Sequence, residues 1–154
     1  MSAHTLLLVD DDPAVHELLA AVLHRPEWHI DSAYDGLEGL VRAKERPYDM
    51  VLTDVRMPGM SGLEVCQELR KDPATAKIPV IILTALAHEA DITAGLAAGA
   101  DDYIVKPFST SDFSARVNTV VARVQSEAAS RSDGWPGQRR SGARGADASK
   151  GLSQ

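Results

Sequence analysis

The chain has 154 residues, 44% hydrophobic and 25% charged, with 16 basic against 22 acidic side chains and a net charge of −6. That is room for one domain of ordinary size with its own core, and the negative balance disfavours direct nucleic-acid binding. No apolar run approaches the roughly 18 residues of a membrane span. Met1–Thr5 lacks the basic start of a leader and the lone Cys66 cannot close an internal disulfide, so a cytoplasmic protein without membrane insertion is expected.

The first 125 residues alternate short apolar runs with helical patterns. Thr5–Val9 reads as a strand, followed by Asp12-Pro13, a helix cap with proline at the first helical position. Val15, Leu18, Leu19, Val22 and Leu23 then recur at the spacing of an amphipathic helix. His29–Ala33 and Met50–Thr53 read as the second and third strands, and Asp35–Glu38 and Ser61–Glu64 each set a capping residue three before a glutamate. Cys66, three residues after Leu63 and three before Leu69, reads as a core thiol, and Gly59 and Gly62 as turn glycines. Pro79–Thr84, largely a continuous apolar run, is a fourth strand of the kind buried on both faces. His88–Ala98 is the weakest helix, with only Ile92 and Leu96 as large apolar anchors. Tyr103–Val105 is a fifth strand, and Phe113, Val117, Val120, Val121 and Val124 mark a last helix. A helix after every strand gives (βα)5, and right-handed crossovers make the sheet parallel with helices on both faces.

Residues 126–154 differ in kind. Gly, Ser and Arg fill 15 of these 29 positions, and five basic against three acidic residues make the segment +2, against −8 for residues 1–125. Nothing periodic and apolar remains there apart from the isolated Trp135, so the expectation is a domain over 1–125 and a disordered tail over 126–154.

Ligands of such sheets bind beyond the carboxyl ends of the strands. There stand Asp10, Asp11 and Asp12 after the first strand, Asp54 after the third, Thr84 at the end of the fourth, and Lys106-Pro107 after the fifth. Two like charges about 5 Å apart repel by roughly 3 kcal/mol at an effective dielectric near 20, so carboxylates gathered this way call for a cation. Hard oxygen donors suit Mg²⁺, and with it and Lys106 the edge is built to take a phosphoryl group on a carboxylate. Asp12, followed by proline, is assigned to the cap alone. His4, His16, His24, His29 and His88 show no metal-ligand spacing.

The segments LLLVDDDPAVHELL, DMVLTDVRMPGMSGLEV, VIILTA and GADDYIVKPF, in this order over residues 5–125, resemble the receiver domain of two-component response regulators. The resemblance implies a flavodoxin-like sheet of order 2-1-3-4-5 and a stand-alone receiver of the chemotaxis-regulator kind. It makes Asp54 the phosphoacceptor, charged from the phosphohistidine of a sensor histidine kinase or a histidine phosphotransfer protein. Asp11, Asp54 and the Arg56 carbonyl would ligate Mg²⁺, with Asp10 acting through water. Thr84 and Lys106 would hold phosphoryl oxygens, Tyr103 would turn inward as Thr84 moves, and Lys106–Pro107 would be cis. Asp101, Asp102, Arg116 and Arg123 match positions that pair across dimers of transcription-factor receivers, although Asp112–Arg116 and Arg123–Glu127 are also spaced as pairs within one helix.

Of two rival readings, particular residues leave the first a remote alternative and exclude the second. A haloacid-dehalogenase-like phosphatase needs an acid/base aspartate two residues past its nucleophile, where this chain has Arg56. A flavin carrier needs a hydroxyl- and glycine-rich phosphate loop after the first strand, where three aspartates would repel the phosphate. The tail is too short and polar for an effector. The protein is expected to be a signalling phosphoacceptor, not an enzyme: a terminal regulator acting on a downstream protein or on a second copy of itself, or else a relay shuttle passing the group to another histidine.

Overall fold

The computed structural model describes residues 4–23 and 28–134. In chain order the elements are β1 (His4–Val9), α1 (Pro13–Val22), β2 (Trp28–Ala33), α2 (Gly36–Glu45), β3 (Met50–Thr53), α3 (Gly62–Lys71), β4 (Val80–Thr84), α4 (Glu89–Ala97), β5 (Asp102–Val105) and α5 (Thr110–Gly134). All strand pairs are parallel and the sheet order is β2-β1-β3-β4-β5, the flavodoxin-like (βα)5 arrangement expected. Pro79 stays outside β4: it has no N–H to give a ladder, and only its carbonyl pairs, accepting from Val51 N at 2.9 Å.

The middle strands are apolar on both faces because both are covered. Leu7, Val9, Val51 and Val80 point into a cluster with Leu40 and Ala43 of α2 and Val65, Cys66 and Leu69 of α3. Cys66 is the core thiol expected, and burial pushes its pKa up. The alternate set Leu6, Leu8, Leu52, Ile81 and Leu83 is equally buried, as are Leu19 of α1 and Phe113 and Val117 of α5. Each large side chain so buried contributes about 1.5–3 kcal/mol. Leu18, placed in the expected stripe of α1, is instead 48% exposed.

Helix starts follow their signals. Asp12 accepts from Ala14 N ahead of Pro13, and Ser61 and Glu64 form a reciprocal capping box. Asp35 accepts from Glu38 N, while Glu38 reaches past the cap to Tyr34 N at 2.7 Å. At the far end of the sheet Arg70, in the last turn of α3, clamps two connections. Its Nε and Nη2 donate to the Gly99 carbonyl at 3.0 and 2.8 Å, and Nη1 donates to the carbonyls of Ala76 (3.0 Å) and Ile78 (2.6 Å). Nη2 also meets Asp101 Oδ2 at 3.1 Å. Gly99 has φ +112°, and a Cβ there would stand 2.9 Å from Arg70 Cγ, so glycine is required twice over.

Two expectations need correction. α5 continues to Gly134, so residues 126–134 are helical where a disordered tail was expected from 126. Glu127, Ala128, Ala129 and Arg131 are strong helix formers, and propensity carries the helix on after its apolar stripe has ended. Trp135 and the rest of the expected tail lie outside the described residues. In α4, Leu96 is 47% exposed and anchors nothing; the buried position of that helix is Gly95. The described chain forms two compact units, up to Val120 and from Val121 on. No helix among the described residues is long and apolar enough to cross a membrane.

Candidate functional site

The site lies in the first unit, at the carboxyl ends of β1, β3, β4 and β5. β1 runs out at Val9 in register with Thr53 of β3, so the residues that follow each, Asp10 and Asp54, leave the sheet side by side. Asp10 is 1% exposed. Its amide donates to the Ala33 carbonyl at 3.1 Å, and its Oδ1 accepts from Asp12 N at 2.9 Å. Asp54 Oδ1 accepts from Val55 N at 2.6 Å. The Lys106–Pro107 bond is cis, as expected, and Lys106 Nζ stands 3.3 Å from Asp10 Oδ2 and 3.4 Å from Asp54 Oδ2. Asp11, exposed, completes the acidic group: Asp10, Asp11 and Asp54 each offer a carboxylate oxygen, all within 4.8 Å of one another.

Three carboxylates against one ammonium leave the site electrostatically short of cations. The carboxyl of Asp10 is held above its ordinary range, first by burial and further by the Asp54 charge, against the pull of the Asp12 amide and Lys106. An all-oxygen donor set with excess negative charge fits Mg²⁺. Thr84 ends β4 beside β5, 2% exposed, with Leu86 N 3.5 Å from its hydroxyl. The Arg56 side chain is exposed on the β3–α3 connection, two residues past Asp54. The Asp12 side chain is engaged in the α1 cap, accepting from Ala14 N at 3.0 Å.

Gly62, read as a turn glycine, is instead the first residue of α3, and it is the residue that seats Asp54. A Cβ there would overlap the Asp54 carbonyl oxygen, to which Thr53 Oγ1 also donates at 2.9 Å. Gly59 is a true turn glycine, with φ +76°. Gly95 plays a similar part for Tyr103. A Cβ on Gly95 would come within 2.8 Å of the tyrosine ring, which is already turned inward, 6% exposed, with its hydroxyl donating to the Leu86 carbonyl at 2.8 Å. No local signal marks either glycine, because each is required by a partner distant in sequence.

The four expected interface residues are placed as follows. Asp101 accepts from Val80 N at 2.9 Å and pairs with Arg70, and Asp102 pairs with Arg116 at 2.9 Å. Arg116 also meets Asp112 at 3.2 Å, the within-helix pair foreseen. Arg123 is exposed on the second unit, and the side chain of Glu127 lies outside the described residues.

The family pattern described as the response regulator receiver domain matches residues 6–118, and the chain belongs to that family. The phosphate regulon transcriptional regulatory protein PhoB of Rhizobium meliloti is 40% identical over 122 residues, 79% of this chain and 54% of that protein, so the chain spans about half the length of this relative. A putative response regulator from Chloroflexus aurantiacus superposes with a TM-score of 0.75 at 37% identity, over 79% of this chain and all of the other. The receiver domain of a sensor histidine kinase from Pseudomonas aeruginosa, solved with a magnesium ion coordinated in its active site cleft, gives a TM-score of 0.72 at 28% identity, over 79% of this chain and 99% of that one.

Proposed function

We propose that the chain accepts a phosphoryl group from a histidine kinase or a histidine phosphotransfer protein onto Asp54, and that this changes the face made by α4, β5 and the start of α5. The observation that carries the reading is the Lys106 ammonium set between Asp10 and Asp54 at 3.3 and 3.4 Å, with a third carboxylate alongside. In the transfer, the N–P bond of a phosphohistidine breaks as an Asp54 oxygen forms a new O–P bond, and the imidazole leaves with the N–P electron pair. Lys106 then holds one phosphoryl oxygen and the Thr84 hydroxyl donates to another. Asp11, Asp54 and the Arg56 carbonyl would hold Mg²⁺, with Asp10 through water. Bound there, the ion neutralises charge on the phosphoryl oxygens.

The route outward runs through Thr84 and Tyr103. A Thr84 hydroxyl drawn to the phosphoryl group pulls on the Leu86 segment that the Tyr103 hydroxyl grips. The face beyond carries Asp101, Asp102 and Arg116. Arg70 and Asp112 pair with Asp101 and Arg116 within the chain, so a second copy or another protein docking there meets charges already partnered. The test is phosphotransfer from acetyl phosphate and from a panel of kinases and phosphotransfer proteins, comparing the chain with Asp54→Asn. Asp54→Asn is expected to take no label and Asp12→Asn nearly as much as the original. Labelling of Asp54→Asn at that site would refute the assignment. Rapid return of the group to a phosphotransfer histidine would mark a relay shuttle, and its absence a terminal regulator.

A further inference from the structure

The one buried imidazole of the described residues, His16 on α1, has both ring nitrogens engaged. Nε2 stands 2.8 Å from the Asp10 carbonyl oxygen and Nδ1 2.8 Å from the Ser32 hydroxyl of β2. Tyr34 stacks on the ring, centroids 4.2 Å apart and planes 30° from parallel. A carbonyl oxygen only accepts, so Nε2 carries the hydrogen. In the neutral ring Nδ1 then accepts from Ser32, and Ser32 and Tyr34 together fix the direction in which that N–H points.

The bonded carbonyl belongs to the peptide unit that joins Asp10 to Asp11. That unit is planar, so a hydrogen bond that orients its oxygen also orients the bond along which Asp11 departs. The other polar groups of Asp10 are engaged elsewhere: the amide with Ala33, Oδ1 with Asp12 N and Oδ2 with Lys106. The carbonyl is the remaining handle on the turn, and His16 holds it from beneath. We propose that His16 is a positioning residue for the divalent-cation site, setting the angle between the Asp10 and Asp11 carboxylates through their shared peptide unit. This rests on the reading of that acidic group as a Mg²⁺ site.

The experiment is calorimetric titration of Mg²⁺ into the metal-free chain and its variants, with thermal unfolding in EDTA measured beside it. His16→Phe keeps the ring volume and removes both hydrogen bonds. It is expected to raise the Kd for Mg²⁺ about tenfold, the usual lower bound for loss of an outer partner of a metal site. His16→Gln, whose amide N–H reaches the same carbonyl, is expected to recover most of the affinity even where its unfolding temperature stays low. A purely structural role would instead lower stability in both variants and leave the Kd alone. Ser32→Ala, which frees the ring to rotate, is expected to weaken binding about threefold and carries the test if His16→Phe does not fold. A Kd like that of the original chain in folded His16→Phe, or in Ser32→Ala where the phenylalanine variant fails to fold, overturns the inference alone. Absence of Mg²⁺ binding by the original chain overturns the metal reading and the inference with it.

Discussion

Asp10→Asn should stabilise the metal-free protein and weaken its response to Mg²⁺. Desolvation is the largest of the forces on this carboxylate, which is 1% exposed, and costs several kcal/mol for a buried ion. Asp54, with an oxygen within 4.8 Å, adds about 3 kcal/mol of repulsion at an effective dielectric near 20. The exposed Asp11, screened by water, adds about 1 kcal/mol at the same separation. Lys106 at 3.3 Å returns about 5 kcal/mol on the same scale. Asparagine removes the charge, keeps an oxygen for the Asp12 amide, and leaves Lys106 with Asp54 at 3.4 Å, so no ammonium is stranded. The net gain at pH 7 is about 1–3 kcal/mol on this accounting. The raised carboxyl binds its proton more readily in the folded state, so the stability cost of ionised Asp10 grows as pH rises from the unfolded value near 3.8 through the folded one. The advantage of the variant is therefore present above the raised pKa of folded Asp10 and vanishes in acid. Urea unfolding followed by circular dichroism, in EDTA and again in excess Mg²⁺, checks both parts. At one hundred times its Kd a ligand adds about 2.7 kcal/mol, so Mg²⁺ should bring the original chain level with or above the variant. A metal-free Asp10→Asn that is less stable than the original at pH 7 would refute the reasoning.

EDTA is expected to stop phosphotransfer while leaving far-ultraviolet dichroism unchanged, because the apolar core and not the metal holds the sheet together. Gly62→Ala should destabilise by about 1–3 kcal/mol, the cost of overpacking, since its Cβ meets the Asp54 carbonyl; urea unfolding measures it, and a neutral effect would show that α3 can draw back. Asp31 accepts from the Tyr48 hydroxyl at 2.6 Å, which holds its carboxyl below the usual range and pushes the phenol up to about 12. Asp31→Asn should cost about 1–2 kcal/mol at pH 7. That difference should close as pH falls through the depressed pKa of Asp31, and the contribution of Tyr48 should be lost as pH rises toward about 12.

The strands and the site carboxylates were legible in the sequence because they depend on local pattern, whereas the order 2-1-3-4-5 came only from the family resemblance. Val80–Leu83 is apolar throughout and so must be covered twice, and Asp54 follows a strand whichever way it is aligned. What stayed hidden depends on contacts between distant parts of the chain. Leu96 looks like an anchor at helical spacing, yet the tyrosine it would compete with already fills the groove against Gly95. Arg70 reads as an ordinary last-turn cation, with nothing nearby to reveal three carbonyls and a carboxylate converging on it. His16 carries no metal-ligand spacing because its partner is a backbone oxygen. The extension of α5 to Gly134 has no apolar stripe to announce it, only the helix-favouring Glu127, Ala128, Ala129 and Arg131.

The Arg70 clamp gives α4 a fixed hinge. Gly99, two residues past the end of the helix, is held by two guanidinium bonds from another element, whereas the start is tied within its own first turn, the His88 amide donating to Asp91 Oδ2 at 3.3 Å. A rod secured at one end swings and does not slide. With nine residues at 1.5 Å each, a tilt of about 10° moves the free end by about 2 Å while the pinned end stays still. The free end adjoins the Leu86 segment that Tyr103 grips, so the part of α4 with most leverage is the part nearest the acidic site. A partner reading this helix would feel the displacement at Glu89 and Ala90 and find Ala97 where it had always been.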